Sequence, residues 1–110
     1  HGLGDDFVRT VLPQQGAVWI GTSKGPNRLD AKTGRIERVG GGTPLHTASV
    51  LSLAPASGGA RWVGTFHDGA LLWDGSRIAR RIDSASGLPA NEVRAIVQAR
   101  DGRVWLGTKQ

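Results

Sequence analysis

The chain has 110 residues, of which 38% are hydrophobic, 17 are glycine and none is cysteine. This length suits one small domain, and the absence of cysteine excludes disulfide frameworks, cysteine nucleophiles and thiolate metal sites. The net charge of +5 permits an anionic partner, and because no run approaches 18 apolar residues we expect no direct membrane insertion of this segment.

Three tryptophans, 43 residues apart, open the same short phrase. Trp19, Trp62 and Trp105 are each followed by an aliphatic residue, a glycine and a threonine. A constant period of about 20 to 50 residues is typical of repeat architectures. The period predicts three units, the third about half as long as the others: residues 1–43, 44–86 and 87–110.

The first unit is predicted to be a meander of four short strands. Its first strand is rich in β-branched residues and ends at Pro13, and turn residues separate the others. The predicted strands are residues 8–12, 17–22, 27–30 and 35–39. The glycine run at residues 40–42 then predicts a flexible exit towards the second unit.

The second unit repeats the meander and the third begins it again. The strands predicted in the second unit are residues 50–55, 61–65, 70–73 and 77–82. The third unit contributes residues 93–98 and 103–108. The sequence therefore predicts ten strands, arranged as four, four and two.

One segment of the third unit also has helical periodicity. Val93, Ile96 and Val97 lie at helical spacing behind a plausible cap at Asn91. The matching stretches of the first two units contain poor helix formers and end early at prolines. We therefore predict a strand here.

Alternation of side chains along the strands separates two faces. In each first strand a small residue follows a valine by two positions, and we assign both to one face; the small residues are Thr10, Ser52 and Ala95. In each second strand the tryptophan shares a face with a glycine, which leaves room for a neighbour's bulk. Meanders stacked face to face around an axis form a β-propeller, so we predict an all-β fold of two blades and one half-blade.

The repeat resembles the two-component regulator propeller repeat. Residues 87–93 read Gly-Leu-Pro-Ala-Asn-Glu-Val, and residues 101–108 read Asp-Gly-Arg-Val-Trp-Leu-Gly-Thr. The Gly-Leu-x-x-Phe-Asp element of that repeat is matched at residues 25–30 and 69–74. The match is specific in the third unit, good in the first and loose at the start of the second, where Pro-Leu-His at residues 44–46 replaces Gly-Leu-Pro.

This resemblance implies a periplasmic location, in the extracytoplasmic sensor region of a membrane-bound bacterial hybrid histidine kinase or a related signalling protein. Such regions usually hold many repeats, closed into seven-bladed rings. The resemblance therefore implies, as partners, the remaining blades of a larger propeller or other copies of this chain. We expect an oligomer, because the half-blade leaves unpaired backbone at residues 103–108 and the outer blades expose apolar columns.

The candidate ligand-binding residues lie in loops at one end of the predicted ring. Turns that enter the innermost strands and turns that follow the second strands emerge there, around the axis. The candidates are Asp5, Asp6, Ser23, Lys24, Thr47, His67, Asp68, Asn91, Glu92 and Lys109. Their polar groups can hydrogen-bond a small carbohydrate-like ligand, although any exposed turn carries such residues.

Patterns for other chemistry are weak. The three histidines lack metal-ligand spacing, no Gly-x-Ser-x-Gly phrase occurs, and no Lys-Ser or Lys-Thr pair follows the glycine run. The dipeptide Trp73-Asp74 lacks the Gly-His of a WD repeat, and the arginines are spread through all units. We predict no catalytic residue, no metal, no cofactor and no nucleic-acid partner.

Three functions are compatible with this reading. The first is a non-catalytic sensing or scaffolding segment. The second is a fragment of a propeller lyase or hydrolase, which needs a histidine beside a carboxylate or arginine, and His67 with Asp68 is the only local pair. The third is a self-assembling propeller fragment without a ligand.

Overall fold

The computed structural model describes residues 8–108, which form three antiparallel sheets. Blade 1 consists of β1 (Val8–Gln14), β2 (Ala17–Thr22), β3 (Gly25–Asp30) and β4 (Ile36–Arg38). Blade 2 consists of β5 (Val50–Pro55), β6 (Arg61–Thr65), β7 (Ala70–Trp73) and β8 (Ile78–Ile82). The half-blade consists of β9 (Val93–Gln98) and β10 (Val104–Thr108). Within each sheet, strands that follow one another in sequence are neighbours.

The ten predicted strands are confirmed. They include β9, whose sequence has helical periodicity as well as the pattern of a strand. β3 begins at Gly25, two residues earlier than predicted, because Thr22 and Gly25 pair directly in the ladder. β4 is shorter than predicted. Three 3₁₀ turns were not predicted: Pro44–Thr47, Ser57–Gly59 and Ser84–Ser86.

Local turn chemistry explains the meanders. Gln15 and Gly16, with φ of 50° and 79°, form the two-residue turn between β1 and β2. Left-handed residues at both central positions match the twist of the flanking strands. After β3 and β7, Asp30 and Asp74 accept backbone N–H bonds from the turns that follow them. These hydrogen bonds stabilise the charged carboxylates and lower the pKa of both groups.

The blades pack face to face, and each junction has its own apolar core. Between blade 1 and blade 2 the buried side chains are Trp19, Val39, Leu45, Val50, Val63, Leu71 and Trp73. Between blade 2 and the half-blade they are Ala54, Trp62, Ala70, Val93 and Ile96. The tryptophans of the repeated phrase, Trp19 and Trp62, therefore point forward, towards the next unit, whereas Trp73 packs against blade 1. This stacking is the propeller arrangement that the sequence predicted.

Glycine leaves room for the next blade, as the sequence predicted. A Cβ atom added to Gly21 would lie 2.5 Å from Cγ1 of Val50, in the first strand of blade 2. At Gly64 the added atom would lie 3.1 Å from Cγ1 of Val93 and 2.8 Å from its carbonyl oxygen. Each glycine is thus the slot that receives a valine of the following unit.

The assignment of valine and the small residue to one face was wrong. Val50 packs backward into the core shared with blade 1, whereas Ser52 points forward and its hydroxyl donates to the carbonyl of Val93 at 3.3 Å. The ladder between β5 and β6 shifts register between these two residues. This bulge places the two side chains on opposite faces, because it adds one residue to the alternation.

A glutamine crosses each junction at the end of the blades opposite the candidate loops. Gln98 accepts a hydrogen bond from the Trp62 indole at 2.8 Å and donates to the Ser57 hydroxyl at 2.7 Å. Gln14 accepts from Nε of Arg61 at 3.0 Å. The Arg61 guanidinium lies 3.9 Å from the centre of the Trp19 ring. Burial, and then repulsion by Arg28, lower the pKa of Arg61.

The outer faces of the stack carry exposed apolar side chains. Trp105 is 63% exposed, whereas Trp19 and Trp62 are 5% and 1% exposed. Val97 of the half-blade and Val8 and Val11 of blade 1 are exposed as well. The equivalent positions inside the stack are covered by a neighbouring blade. The sequence predicted this exposure of apolar residues on the open faces of the outer blades.

Candidate functional site

A β-bulge recurs at the same place in all three innermost strands. The register of the ladder shifts between Val8 and Thr10 in β1 and between Val50 and Ser52 in β5. In β9 it shifts between Val93 and Ala95, which pair with Thr108 and Gly107. The bulged residues are Arg9, Leu51 and Arg94. Bulges re-aim side chains and are frequent beside binding sites. They lie next to the candidate loops, and strand alternation read from the sequence gave no sign of them.

Two buried threonines hold the turns that follow β2 and β6. The Thr22 hydroxyl donates to the Gly25 carbonyl at 2.8 Å and accepts from the Lys24 N–H at 3.1 Å. The Thr65 hydroxyl donates to the Gly69 carbonyl and accepts from the Asp68 N–H, both at 2.8 Å. The threonine of the repeated phrase therefore shapes the loops and is not itself available to a ligand.

Thr65→Val should lower the free energy of unfolding by about 1–3 kcal/mol, because it leaves buried polar groups of the turn without their partner. Urea denaturation measures this loss, and amide exchange should show faster exchange at Asp68. Thr33→Val is the matched control: its hydroxyl accepts from the Arg35 N–H and also bonds to the Asp30 carboxylate, both in an exposed turn. We expect that control to change stability by less than about 0.5 kcal/mol. Equal effects of the two substitutions would contradict the anchoring role.

Some candidate residues lie outside the described part of the chain or on its exposed loops. Asp5, Asp6 and Lys109 fall outside residues 8–108. Thr47 is exposed at the end of the Pro44–Thr47 turn, Lys24 is exposed and Ser23 is half-buried. The carbonyl of Lys24 accepts a hydrogen bond from the Arg38 guanidinium at 3.0 Å, which ties this turn to β4.

The structure brings four other candidates to one junction, between blade 2 and the half-blade. The N–H of Gly69 donates to the Asn91 carbonyl at 2.9 Å, so the turn carrying His67 and Asp68 contacts the entry to β9. Oδ1 of Asn91 accepts from the Ser84 N–H at 2.6 Å. Glu92, the fourth candidate, lies beside Asn91 in the same entry. Asn91 thus joins three segments, and its side chain has a structural partner.

The two acidic candidates within residues 8–108, Asp68 and Glu92, are paired with arginines. Asp68 lies 3.4 Å from the Arg81 guanidinium, and Arg81 also contacts Asp83 at 3.1 Å. Glu92 forms an ion pair with Arg94, the bulged residue of β9. This end of blade 2 therefore presents carboxylates and guanidinium groups side by side, a surface that offers both hydrogen-bond acceptors and donors.

An exposed aromatic residue completes this cluster. Phe66 is 40% exposed, and its ring centre lies 4.5 Å from the His67 ring at an interplanar angle of 84°. Its N–H donates to the Ser49 carbonyl at 2.9 Å, which holds the residue against the entry to β5. The sequence reading missed Phe66. Alignment of the units could have identified Phe66, because the candidates Ser23 and Lys109 occupy the same position in the other two units.

The geometry does not assemble an acid–base pair from His67 and Asp68. The contacts found join His67 to Phe66 and Asp68 to Arg81. Across residues 8–108, no three histidine, aspartate or glutamate side chains lie close enough together to hold a metal ion. The cluster can instead stack on an apolar face and form hydrogen bonds, which are the interactions that recognise a polar ring.

Two surface cavities lie away from this cluster. One of about 240 Å³ lies at the opposite end of blade 2 and the half-blade, lined by Pro55, Ala56, Ser57, Gln98, Ala99 and Arg100. The other, of about 220 Å³, lies between blades 1 and 2, and its lining includes Trp19, Arg28, Glu37 and Trp73. Within residues 8–108 the structure contains no helix of the length and apolar character needed to span a membrane.

Comparisons with solved structures give relatives for almost the whole chain. The extracellular domain of a protein described as a hybrid two-component system from B. thetaiotaomicron matches with 26% identity and a TM-score of 0.78, over 92% of this chain and 14% of that one. An extracellular domain described as part of a one-component system from the same organism matches with 27% identity and a TM-score of 0.75, over 96% and 15%. The chain therefore spans about one seventh of these relatives.

A third structure supports the fold alone. PorZ, a surface component of the type-IX secretion system of Porphyromonas gingivalis, matches with 17% identity and a TM-score of 0.82, over 97% of this chain and 17% of that one. A comparison with curated proteins gives no significant match.

The family comparison identifies the repeat itself. Residues 87–110 match the model described as two component regulator propeller. The same phrase recurs in blades 1 and 2, and the solved relatives include extracellular domains of two-component systems. The chain is a β-propeller segment, related to the extracellular regions of two-component sensors, that carries a two-component regulator propeller repeat at residues 87–110.

Proposed function

We propose that this chain is a non-catalytic sensor segment that recognises a small carbohydrate-like ligand at the loop end of its blades. The observation that carries the proposal is the exposed Phe66–His67 pair, set on a turn that Thr65 holds in place. An aromatic face beside polar groups suits a sugar ring, because the ring has an apolar face and hydroxyl groups at its rim. The ion-paired carboxylates and arginines around Asp68 and Glu92 would supply the hydrogen bonds.

An extracytoplasmic location is part of the proposal. It is supported by the two B. thetaiotaomicron relatives, which are described as extracellular domains. Segments of this kind place ligand contacts on loops and leave the sheets as a rigid support. Catalysis is not proposed, since the contacts found draw His67 and Asp68 to different partners.

A binding screen with a labelled protein tests this function. We expect neutral or acidic mono- and oligosaccharides to shift the backbone NMR signals of Phe66, His67 and Asp68. Phe66→Ala should weaken the binding of a sugar found in this way about tenfold, the loss expected when one aromatic stacking contact is removed.

Val97→Ala is the matched control, because it also truncates an exposed apolar side chain, on β9 rather than in the loops. We expect it to leave the affinity unchanged. A screen in which no sugar shifts these signals, or in which Phe66→Ala binds as tightly as the unaltered chain, would refute the proposed ligand site. Turnover of a glycan that disappears in His67→Ala would instead favour the lyase or hydrolase alternative.

A further inference from the structure

The cavity between blades 1 and 2 lies at a junction between two complete four-stranded sheets. We propose that it binds a small carboxylate carried on a single ring, with the Arg28 guanidinium holding the carboxylate group. The front face of a unit is defined here as the side turned to the next unit, and the back face as the side turned to the preceding one. This site is separate from the Phe66–His67 pair and does not depend on the sugar proposed there.

Ladder partners place charged and aromatic side chains in two facing rows. In blade 1, Arg28 pairs with Trp19 on one side and with Glu37 on the other. Directly opposed residues of antiparallel strands share a face, so these three residues lie on the front face of blade 1. In blade 2, Arg61 pairs with Trp73, and the Arg61 guanidinium lies 3.9 Å from the centre of the Trp19 ring. The rows therefore bring two arginines into one junction.

The two arginines stand where the repeat has apolar residues. In blade 2 the ladder partner of Trp62 is Leu72, at the position that Arg28 has in blade 1. The half-blade has Val104 where blade 2 has Arg61. Leu72 and Val104 both pack against the core between blade 2 and the half-blade, so apolar residues at these positions suit the packing of blades. The packing of blades thus does not explain the arginines between blades 1 and 2.

Arg61 is a buried charge without a carboxylate partner. It is 7% exposed, and its guanidinium donates to the side-chain oxygen of Gln14 and the backbone oxygen of Gly59, which are both neutral. None of the ion pairs within residues 8–108 includes Arg61. Arg28 repels it. A buried charge is costly without an opposite charge nearby, so an anion at this junction would be stabilised.

Arg28 is the arginine that a ligand in the cavity can reach. It lines the cavity, its side chain is 37% exposed, and its contact with Asp30, at 3.9 Å, is long for an ion pair. A guanidinium group binds a carboxylate through two parallel, charge-assisted hydrogen bonds. Glu37 also lines the cavity, but its carboxylate lies 3.8 Å from the Arg35 guanidinium, which offsets its charge.

The size and the lining of the cavity indicate the rest of the ligand. The volume of about 220 Å³ is below the range of about 300–1,000 Å³ typical of sites for drug-sized molecules, so we infer a ligand of about one ring. Trp19 and Trp73 supply aromatic surface against which a ring can pack. Arg38 lines the cavity as well, but its guanidinium donates to the carbonyls of Lys24 and His46. The ring is either aromatic, as in benzoate, or a sugar, as in glucuronate.

NMR titrations with benzoate and with glucuronate test the site, with the indole N–H signals of Trp19 and Trp73 as the readout. We expect saturable shifts with a Kd of about 1 mM, as for a small ligand held by one strong polar contact. Benzamide has the ring without the charge, and acetate has the charge without the ring. Each should bind at least about tenfold more weakly than benzoate. The tighter of benzoate and glucuronate identifies the ring as aromatic or sugar.

Arg28→Leu introduces the residue that blade 2 has at this position. We expect it to weaken the binding of benzoate about 10–100-fold, because charge-assisted hydrogen bonds are lost. The urea midpoint should be no lower than that of the unaltered chain, since the repulsion of Arg61 is removed. A merely structural role of Arg28 predicts the opposite, a lower midpoint with unchanged binding. Arg103→Leu is the matched control and should leave binding unchanged, because Arg103 is also paired with a carboxylate two residues away, that of Asp101, but lies in the half-blade.

Three results would overturn the proposal. The first is that neither benzoate nor glucuronate shifts the two indole signals. The second is that benzamide or acetate binds as tightly as benzoate, and the third is that Arg28→Leu keeps its affinity for benzoate. None of these results bears on the sugar site at the loop end, which is read out at Phe66.

Discussion

Gly64→Ala is expected to lower the free energy of unfolding by about 2–3 kcal/mol, the cost typical of overpacking a core. The added methyl group would overlap the Ser52 hydroxyl and lie 2.8 Å from the carbonyl oxygen of Val93. The hydroxyl can rotate away, but the carbonyl belongs to the backbone of β9. The half-blade would therefore have to move away from blade 2, and the apolar core between them would lose contact.

Urea denaturation of the variant measures this cost, with two comparisons. Gly41→Ala is the matched control, since a Cβ atom at Gly41 would have no neighbour within 4 Å. We expect it to change stability by less than about 0.5 kcal/mol. Adding Ser52→Ala to Gly64→Ala should recover only part of the loss. Full recovery would show that the hydroxyl alone was the obstacle and that the blades are not in close backbone contact.

Trp62→Ala should cost more still, about 3–5 kcal/mol, as expected when a buried tryptophan is truncated. The residue is 1% exposed, and its indole N–H donates to Gln98 across the junction. Its loss opens a cavity and leaves the Gln98 amide without that partner. The half-blade should be the first part of the structure to open.

Trp105→Ala provides a control with the same residue type at the same position of the repeat. Trp105 is 63% exposed, so its truncation should change the stability of the monomer by less than about 0.5 kcal/mol. Both variants should be denatured at a protein concentration where light scattering shows monomers. Similar losses for the two would mean that the front of the half-blade is already covered in the monomer.

The architecture could be predicted from the sequence because it is repeated. A single Trp-x-Gly phrase does not identify a fold. Its recurrence at one period implies that the tryptophan and the glycine pack in the same way in every unit. The repetition also decided against a helix at residues 93–98, where the local pattern was ambiguous. Periodicity thus supplied the long-range information that propensity lacks.

The bulges could not be predicted in this way. A bulge adds one residue to a strand without changing its composition, so Val50 and Ser52 looked like members of one face. Only the hydrogen-bond register shows that they lie on opposite faces. The error was repeated in every unit because the bulge is repeated too.

The candidate site was only partly predictable for a similar reason. Loop position and polarity selected His67 and Asp68, but they also selected Asn91, whose amide oxygen joins segments of the fold. Phe66 was missed because an apolar residue does not satisfy a search for polar loops. An aromatic side chain at a turn position becomes informative only when its exposure is known.

The valine that fills a glycine slot has a consequence for how such chains grow. Every junction joins one side of a unit to the other side of the next, so both halves of the contact are encoded within a single period. A duplication of one whole period would place the valine of one unit opposite the glycine of the other, so the two units could pack without any further substitution. A duplication out of phase would place the slot opposite no side chain. Lineages that gain or lose whole units can therefore vary ring size more easily than they can vary the length of one unit.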